Sequence, residues 1–193
     1  MFRKVPYYGT SFFLGLVFFT AGMGKLFAEH RFPGLIGPVW LEERLGEYGL
    51  GGYARFIAFS QVVIGFVLLT LRYIPAGALM LLPMIANILV ITISLQWRGT
   101  PYVLAGLLAM NLWLLYADRK WLLPLVTGKW PAQELPSRGF HLYGHLVWLI
   151  GLAIALSAIP ISHHNALFGY VFVVCALLMA WMSPAADRMS RHG

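Results

Sequence analysis

The chain has 193 residues, of which 60% are apolar and only 11% are charged, and its formal net charge is +7. Soluble globular domains carry about 25% charged residues, so this composition excludes that class and indicates a polytopic membrane protein. No basic patch interleaved with aromatic residues lies on a polar segment, and the positive charge therefore gives no reason to expect nucleic acid as a partner.

Apolar runs long enough for transmembrane helices recur along the chain. A transmembrane helix needs about 20 mostly apolar residues, and six runs approach this length. The fourth run is the shortest, and it is retained because tryptophan and tyrosine flank it as in an interfacial belt. The runs cover residues 9–27, 52–71, 76–97, 101–116, 140–159 and 165–183. The predicted fold class is all-α, a polytopic bundle of six transmembrane helices.

Basic residues orient this bundle, since lysine and arginine are enriched in short cytoplasmic loops. With the N-terminus inside, most of them are cytoplasmic, whereas the basic residues on the other side are offset by four glutamates. We therefore predict that both termini lie inside (N-in/C-in). The predicted cytoplasmic set is Arg3, Lys4, Arg72, Arg119, Lys120, Lys129, Arg138, Arg188 and Arg191.

The chain is predicted to divide into a four-helix core at 1–118 and a C-terminal transmembrane helix pair with a short tail at 139–193. Between these parts, residues 119–138 are predicted to form a cytoplasmic interfacial linker, in which three prolines disfavour one straight helix. The loop 28–51, within the core, contains a short amphipathic pattern and is expected to lie on the outer surface as a lid. Its pattern consists of Val39, Trp40, Leu41 and Leu45.

Two asparagines lie inside apolar runs, where the side chain has no water to bond. Asn87 is in the third run, and Asn111 is at a similar depth in the fourth. A short turn makes these two helices antiparallel neighbours, so the carboxamides are predicted to pair across them as a helix clamp.

A second group of polar residues is predicted in the outer half of the bundle. Lys25 ends the first span, Arg55 and Gln61 lie one and three turns into the second, and Gln96 closes the third. Lysine at a helix end commonly extends to the headgroups, but Gln61 lies deeper than that explanation covers. We predict a cationic, hydrogen-bonding pocket that opens outward and suits a quinone carbonyl, an anionic headgroup or a small oxyanion.

Histidines are weaker candidates for a site. His141 and His145, four residues apart, are predicted to share one helical face near the cytoplasmic end of the fifth span. This spacing is able to hold a metal, but a metal usually needs a third ligand. His163 and His164 lie at the other end of the same span. For both pairs the favoured interpretation is interfacial histidine, and no metal is predicted.

Known catalytic motifs are absent from the sequence. It contains no GxSxG, CxxC, HExxH, Walker or GxGxxG pattern, and no paired intramembrane carboxylates. Cys175, the single cysteine, is interpreted as a small apolar residue. Whether the protein is an enzyme is therefore left open.

Three segments carry a resemblance to a known family: "LGLVFFTAGMGKLF" in the first span, "PMIANILVITISL" in the third and "MNLWLLYADRKWLLPL" from the fourth. Over about the first two thirds of the chain they resemble the DoxX-like family of bacterial integral membrane proteins. The resemblance implies a four-helix core, and some relatives are membrane subunits of thiosulfate:quinone oxidoreductase or of other redox assemblies. It points to Gly22 and Lys25 of a G-x-x-K element, to Asn87, and to Asn111.

The chain departs from that family in two places. Many members carry an acidic residue in the second span where this chain has Gln61, which removes the basis for a proton-handling role. The fifth and sixth spans lie beyond the usual core, so nothing transfers to His141 and His145.

The leading hypothesis is a non-pumping membrane subunit of a redox assembly, whose outer pocket contacts a quinone or a small anion. The alternative is a non-enzymatic membrane scaffold or assembly factor, in which the polar residues hold helices together. Small-molecule transport is least favoured, because no intramembrane carboxylate or broken helix pair is evident. The cofactor expected under the leading hypothesis is a quinone, and the partners are the lipid bilayer and redox protein subunits, with a homo-oligomer left open.

Overall fold

The structure, a computed structural model, describes residues 4–36, 41–128 and 141–189. Within these ranges the chain is helical and contains no strand. A short 3-10 turn, Ala28–His30, follows the first helix. The helices are α1 (Lys4–Leu26), α2 (Leu41–Gly46), α3 (Gly51–Leu69), α4 (Ile74–Ser94), α5 (Thr100–Ala117), α6 (Arg119–Thr127), α7 (Leu142–His164) and α8 (Ala166–Met189).

Six of the described helices, α1, α3, α4, α5, α7 and α8, are long and apolar enough to cross a membrane. The predicted all-α architecture with six such helices is confirmed. Two helices extend past the predicted runs, since α7 continues through Pro160 and α8 through Pro184. Proline is tolerated inside apolar helices of this kind because neighbouring groups satisfy the freed backbone carbonyl.

The six long helices run alternately up and down. At one end of the bundle, the Tyr7 hydroxyl of α1 donates to the Asp118 carboxylate that follows α5. At the other end, the Ala28 N–H beyond α1 donates to Ser162 Oγ in the last turns of α7, at 3.0 Å. We call the first the Arg72 end and the second the Lys25 end. Which side of a membrane each end faces stays a prediction.

Helices α1 and α3 form the central pair, and glycine permits their close approach. A Cβ atom on Gly15 would lie 2.3 Å from the Leu69 backbone nitrogen, and one on Gly65 would lie 2.2 Å from that of Phe19. Both distances are far inside van der Waals contact. Small residues at such positions let apolar helices pack backbone to backbone.

Two apolar clusters share this central pair. The first fills the space between α1, α3, α4 and α5, and the second lies between the central pair and α7 and α8. The C-terminal helices therefore pack directly on the first part of the chain. Buried members of the first cluster include Leu14, Phe18, Leu68, Leu81, Ile85 and Leu114, and those of the second include Phe19, Phe66, Val67, Trp148, Ala155 and Val173.

The loop 28–51, predicted to lie on the surface as a lid, is mostly exposed where the structure describes its side chains. It folds back beside α1, where the Leu35 N–H donates to Thr20 Oγ1 at 3.3 Å. The Phe32 ring contacts those of Phe27 and Tyr170, with centroids 5.3 and 5.6 Å away. Aromatic contacts thus hold the segment against the bundle. Within the predicted amphipathic pattern, Leu45 is buried, and Val39 and Trp40 lie outside the described residues.

The linker is described only in its first half. Helix α6 covers Arg119–Thr127 with Pro124 inside it, and it ends at Gly128, whose φ of 66° is in the left-handed region that favours glycine. Residues 129–140 lie outside the described ranges, as do Arg3, Lys129, Arg138 and Arg191 of the predicted cytoplasmic set.

Candidate functional site

Lys25 is a buried cation at the Lys25 end of the bundle, in the last turn of α1. Only 7% of the residue is exposed. Its ammonium Nζ donates to the Ala21 backbone oxygen at 2.9 Å and to Gln61 Oε1 at 3.2 Å. A lysine that extends to headgroups would be exposed, so this lysine is held inside the bundle instead.

Gln61 reaches Lys25 from α3, and 5% of it is exposed. The close packing of α1 on α3 determines this contact, because a Cβ on Gly22, one turn before Lys25, would lie 2.6 Å from the Ala58 backbone oxygen. The structure therefore brings together two residues of the predicted pocket. The carboxamide accepts from the ammonium, which leaves its own N–H groups oriented away from that cation.

A pocket of about 710 Å³ adjoins Lys25. Arg55 lines it from α3, Ile159 and His163 line it from α7, and Glu29 and His30 line it from the turn after α1. The pocket thus lies between the ends of α1, α3 and α7 at the Lys25 end of the bundle. Its volume falls within the range of about 300–1,000 Å³ that is usual for small-molecule sites.

A second, much smaller cavity of about 40 Å³ lies on the other side of Lys25. Lys25 and Gln61 both line it, together with Thr92 and apolar residues of α1, α4 and α5. The Thr92 hydroxyl donates to its own helix at the Leu89 oxygen, 2.9 Å away. Lys25 therefore lines both the large pocket, which has charged and apolar residues in its lining, and the small apolar cavity.

The chain was compared with known proteins. No protein-family model, curated protein sequence or solved structure matches it. The resemblance to the DoxX-like family stays a prediction.

Gln96 is not part of the pocket. It follows α4, is exposed, and has a φ of 54°. Neither cavity beside Lys25 is lined by it. Of the four predicted ligand-binding residues, Lys25 and Arg55 line the large pocket, whereas Gln61 contacts Lys25 and lines the small cavity. His163, which the sequence predicted as an interfacial histidine, also lines the large pocket, as does His30.

The predicted pairing of Asn87 with Asn111 is not the arrangement in the structure. Asn111 is fully buried, and its Nδ2 donates to the Ala78 backbone oxygen at 3.0 Å. Its Oδ1 is buried without a hydrogen-bond partner. Asn87 is exposed on the opposite side of α4. Asn111 therefore does join α5 to α4, but through backbone rather than through the second carboxamide.

The two histidines near the start of α7 do not share a helical face. His141 precedes the helix with an extended backbone, and its N–H donates to Asp187 Oδ1 at 2.9 Å. His145 Nδ1 is hydrogen-bonded to the Tyr73 hydroxyl. Among the described residues, no group of three or more histidine, cysteine or acidic side chains is placed to hold a metal.

One buried charged contact was missed by sequence reasoning. Arg72, predicted as an ordinary cytoplasmic cation, is 4% exposed and forms an ion pair with Asp187 of α8. The predicted sixth span ended at residue 183, so Asp187 fell in the tail. If the predicted sixth helix had been continued past Pro184, Asp187 would have been placed at the same end of the bundle as Arg72.

Proposed function

We propose that the protein is a multi-pass membrane protein whose Lys25 pocket binds a small ligand through a quinone carbonyl or an anionic oxygen. In this proposal it serves as the membrane subunit of a quinone-linked redox assembly. The observation that carries the proposal is the position of the Lys25 ammonium, which is buried at 7% exposure and lies in the wall of a pocket of about 710 Å³.

Electrostatics favour an oxygen-bearing ligand in this pocket. Charge-assisted hydrogen bonds to an ammonium are roughly twice as strong as neutral ones, and they strengthen further where water is excluded. Arg55 adds a second cation to the lining, and the imidazoles of His30 and His163 add further polar groups. A carbonyl or anionic oxygen close to Lys25 would accept from such groups.

The same pocket also offers apolar surface. Leu26, Phe27 and Ile159 line it beside the polar residues. A ligand with a polar head and an apolar body, such as a quinone, fits this division better than a fully hydrated anion does.

The assignment to a redox assembly rests on the family resemblance. Lys25 belongs to the G-x-x-K element of the first span, and Asn111 belongs to the segment "MNLWLLYADRKWLLPL" from the fourth span. Both segments resemble DoxX-like proteins. A bacterial cytoplasmic membrane is the location that this resemblance and the charge distribution support.

Photo-labelling with a short-chain azido-ubiquinone tests the binding proposal. We expect labelled peptides from the end of α1 and the end of α7 in the wild type. Lys25→Met keeps the aliphatic length of the side chain and removes the charge, which should lower labelling about tenfold or more, the equivalent of a hydrogen bond to a charged group. Gln61→Leu should also lower it.

Arg98→Ala is the matched control. Arg98 is an exposed cation at the same end of the bundle and does not line the pocket, so its removal should leave labelling unchanged. Competition with unlabelled ubiquinone or with thiosulfate then distinguishes a quinone from a small anion. Equal labelling of wild type, Lys25→Met and Gln61→Leu would overturn the pocket assignment and favour the scaffold hypothesis.

A further inference from the structure

Helix α4 carries a polar side chain on the face that it turns away from the bundle. Asn87 is exposed there. Exposed apolar residues lie on either side of it along the helix, with Met80 46% exposed on one side and Val90 and Ile93 63% and 57% exposed on the other. Asn87 lies seven residues from the end of α4, which is about 10 Å at 1.5 Å per residue. Its short side chain cannot reach across that distance.

No group in the described part of the chain satisfies this carboxamide. Asn111 donates to Ala78 instead. Two serine hydroxyls on long helices bond their own helix instead, since Ser94 Oγ donates to the Val90 oxygen and Ser157 Oγ to the Ala153 oxygen, each at 2.8 Å. An asparagine side chain offers two donors and two acceptor positions. Hydrocarbon satisfies none of them, so an outside partner is strongly favoured.

We propose that Asn87 pairs with Asn87 of a second copy of this chain. Two copies inserted in one orientation carry this residue at the same depth, and a two-fold axis along the membrane normal brings the two α4 helices together. A carboxamide is both donor and acceptor, so it is complementary to itself. Two reciprocal N–H to oxygen bonds then give each carboxamide one donated and one accepted hydrogen bond. A different partner would need its own polar group at that depth.

The surface around Asn87 suits a close helix contact. Ala86, beside it, is exposed and projects only a methyl group, and small residues let helix axes approach in a membrane. Pro83, one turn earlier, is also exposed and has no N–H, so the Leu79 carbonyl lacks its usual helical donor.

The proposed contact is separate from the ligand pocket. Ile88, the next residue, lines the small cavity behind Lys25, whereas Asn87 faces outward. The dimer contact goes beyond the proposed function. Photo-labelling tests the pocket and association measurements test the dimer, so the failure of one leaves the other unaffected.

Energy transfer between donor- and acceptor-tagged copies in phosphatidylcholine and phosphatidylglycerol vesicles tests the proposal, with the dissociation constant obtained by lipid dilution. We expect wild-type dimers. Asn87→Leu should weaken them about 3- to 30-fold, the range for interhelical hydrogen bonds in membranes, and Asn87→Gln should retain most of the association. Ser94→Ala is the control on the same face, and it should change nothing because that hydroxyl bonds its own helix.

Cross-linking locates the contact. In a Cys175→Ala background, Asn87→Cys should form a disulfide-linked dimer with copper phenanthroline, and Leu178→Cys, exposed on α8, should not. Asn87→Leu should unfold at the wild-type temperature in detergent at dilutions where the protein is monomeric. A monomeric wild type in vesicles, equal association of Asn87→Leu and wild type, absent cross-linking at position 87, or a destabilised Asn87→Leu monomer would each overturn the proposal.

Discussion

Arg72 and Asp187 form a buried two-pronged ion pair between the turn that precedes α4 and the last turns of α8. Nη1 donates to Oδ2 at 2.7 Å and Nη2 to Oδ1 at 3.2 Å. Burial disfavours the charged guanidinium, but its hydrogen bonds to Asp187 and Tyr73 outweigh this effect and raise the pKa of Arg72. A raised pKa stabilises the fold at every pH below the ordinary value for arginine, so Arg72 stays charged wherever the protein is folded.

Removing one partner of this pair should be costly. Asp187→Leu leaves a buried guanidinium unpaired, and we expect the free energy of unfolding to fall by about 3–5 kcal/mol. Arg72→Leu should have a similar effect, whereas the double variant should lose less than the sum of the two. Unfolding in detergent measures all three. Arg188→Ala, at an exposed neighbour, is the control and should stay within about 0.5 kcal/mol. Additive losses would show that the pair is not coupled.

The central helix pair should not tolerate a methyl group at its glycines. Gly15→Ala and Gly65→Ala each place a carbon against the facing backbone, and we expect a loss of about 1–3 kcal/mol in each case. Gly106 of α5 has no heavy atom within 4 Å of its Cβ position, so Gly106→Ala should be neutral or stabilising by up to about 1 kcal/mol through helix propensity. Thermal unfolding distinguishes the two kinds of site. Equal tolerance at all three would contradict the close packing.

The two asparagines should behave independently. Since Asn87 and Asn111 do not contact each other, the effects of Asn87→Leu and Asn111→Leu on monomer stability should add within about 0.5 kcal/mol. A double-mutant cycle by steric trapping measures this. A double variant that is clearly more stable than the sum predicts would restore the clamp between the two side chains.

The orientation of the bundle can be measured with single cysteines in a Cys175→Ala background. Tyr48 is 66% exposed at the Lys25 end, and Lys120 is exposed at the Arg72 end. An impermeant maleimide should label Tyr48→Cys on intact bacteria, and Lys120→Cys only after permeabilisation, because the positive-inside rule places the Arg72 end in the cytoplasm. The reverse pattern would invert the orientation. Labelling of both from one side would contradict a span between them.

The depth of each side chain along its predicted span was enough to predict part of the candidate site. Matching positions along antiparallel spans predicted that Lys25 and Gln61 lie close together, and the structure joins them by a hydrogen bond. The same reasoning included Gln96, which lies outside the pocket because the chain leaves α4 before it. Depth also matched Asn87 with Asn111, but the two face different directions. Depth fixes one coordinate of a side chain and leaves the direction around the helix undetermined.

The sequence by itself determined the class of the protein and the number of long helices, because the length of an apolar run is a local property that needs no partner. Only the tertiary structure decided which side of each helix faces which neighbour. An amphipathic helix reveals its buried face through periodicity, whereas helices that are apolar all round, such as α4 and α5, do not. Rotation about each axis is instead set by close packing, as at Gly15 and Gly65. That packing placed Lys25 against Gln61, Arg72 against Asp187, and Asn87 on the outside.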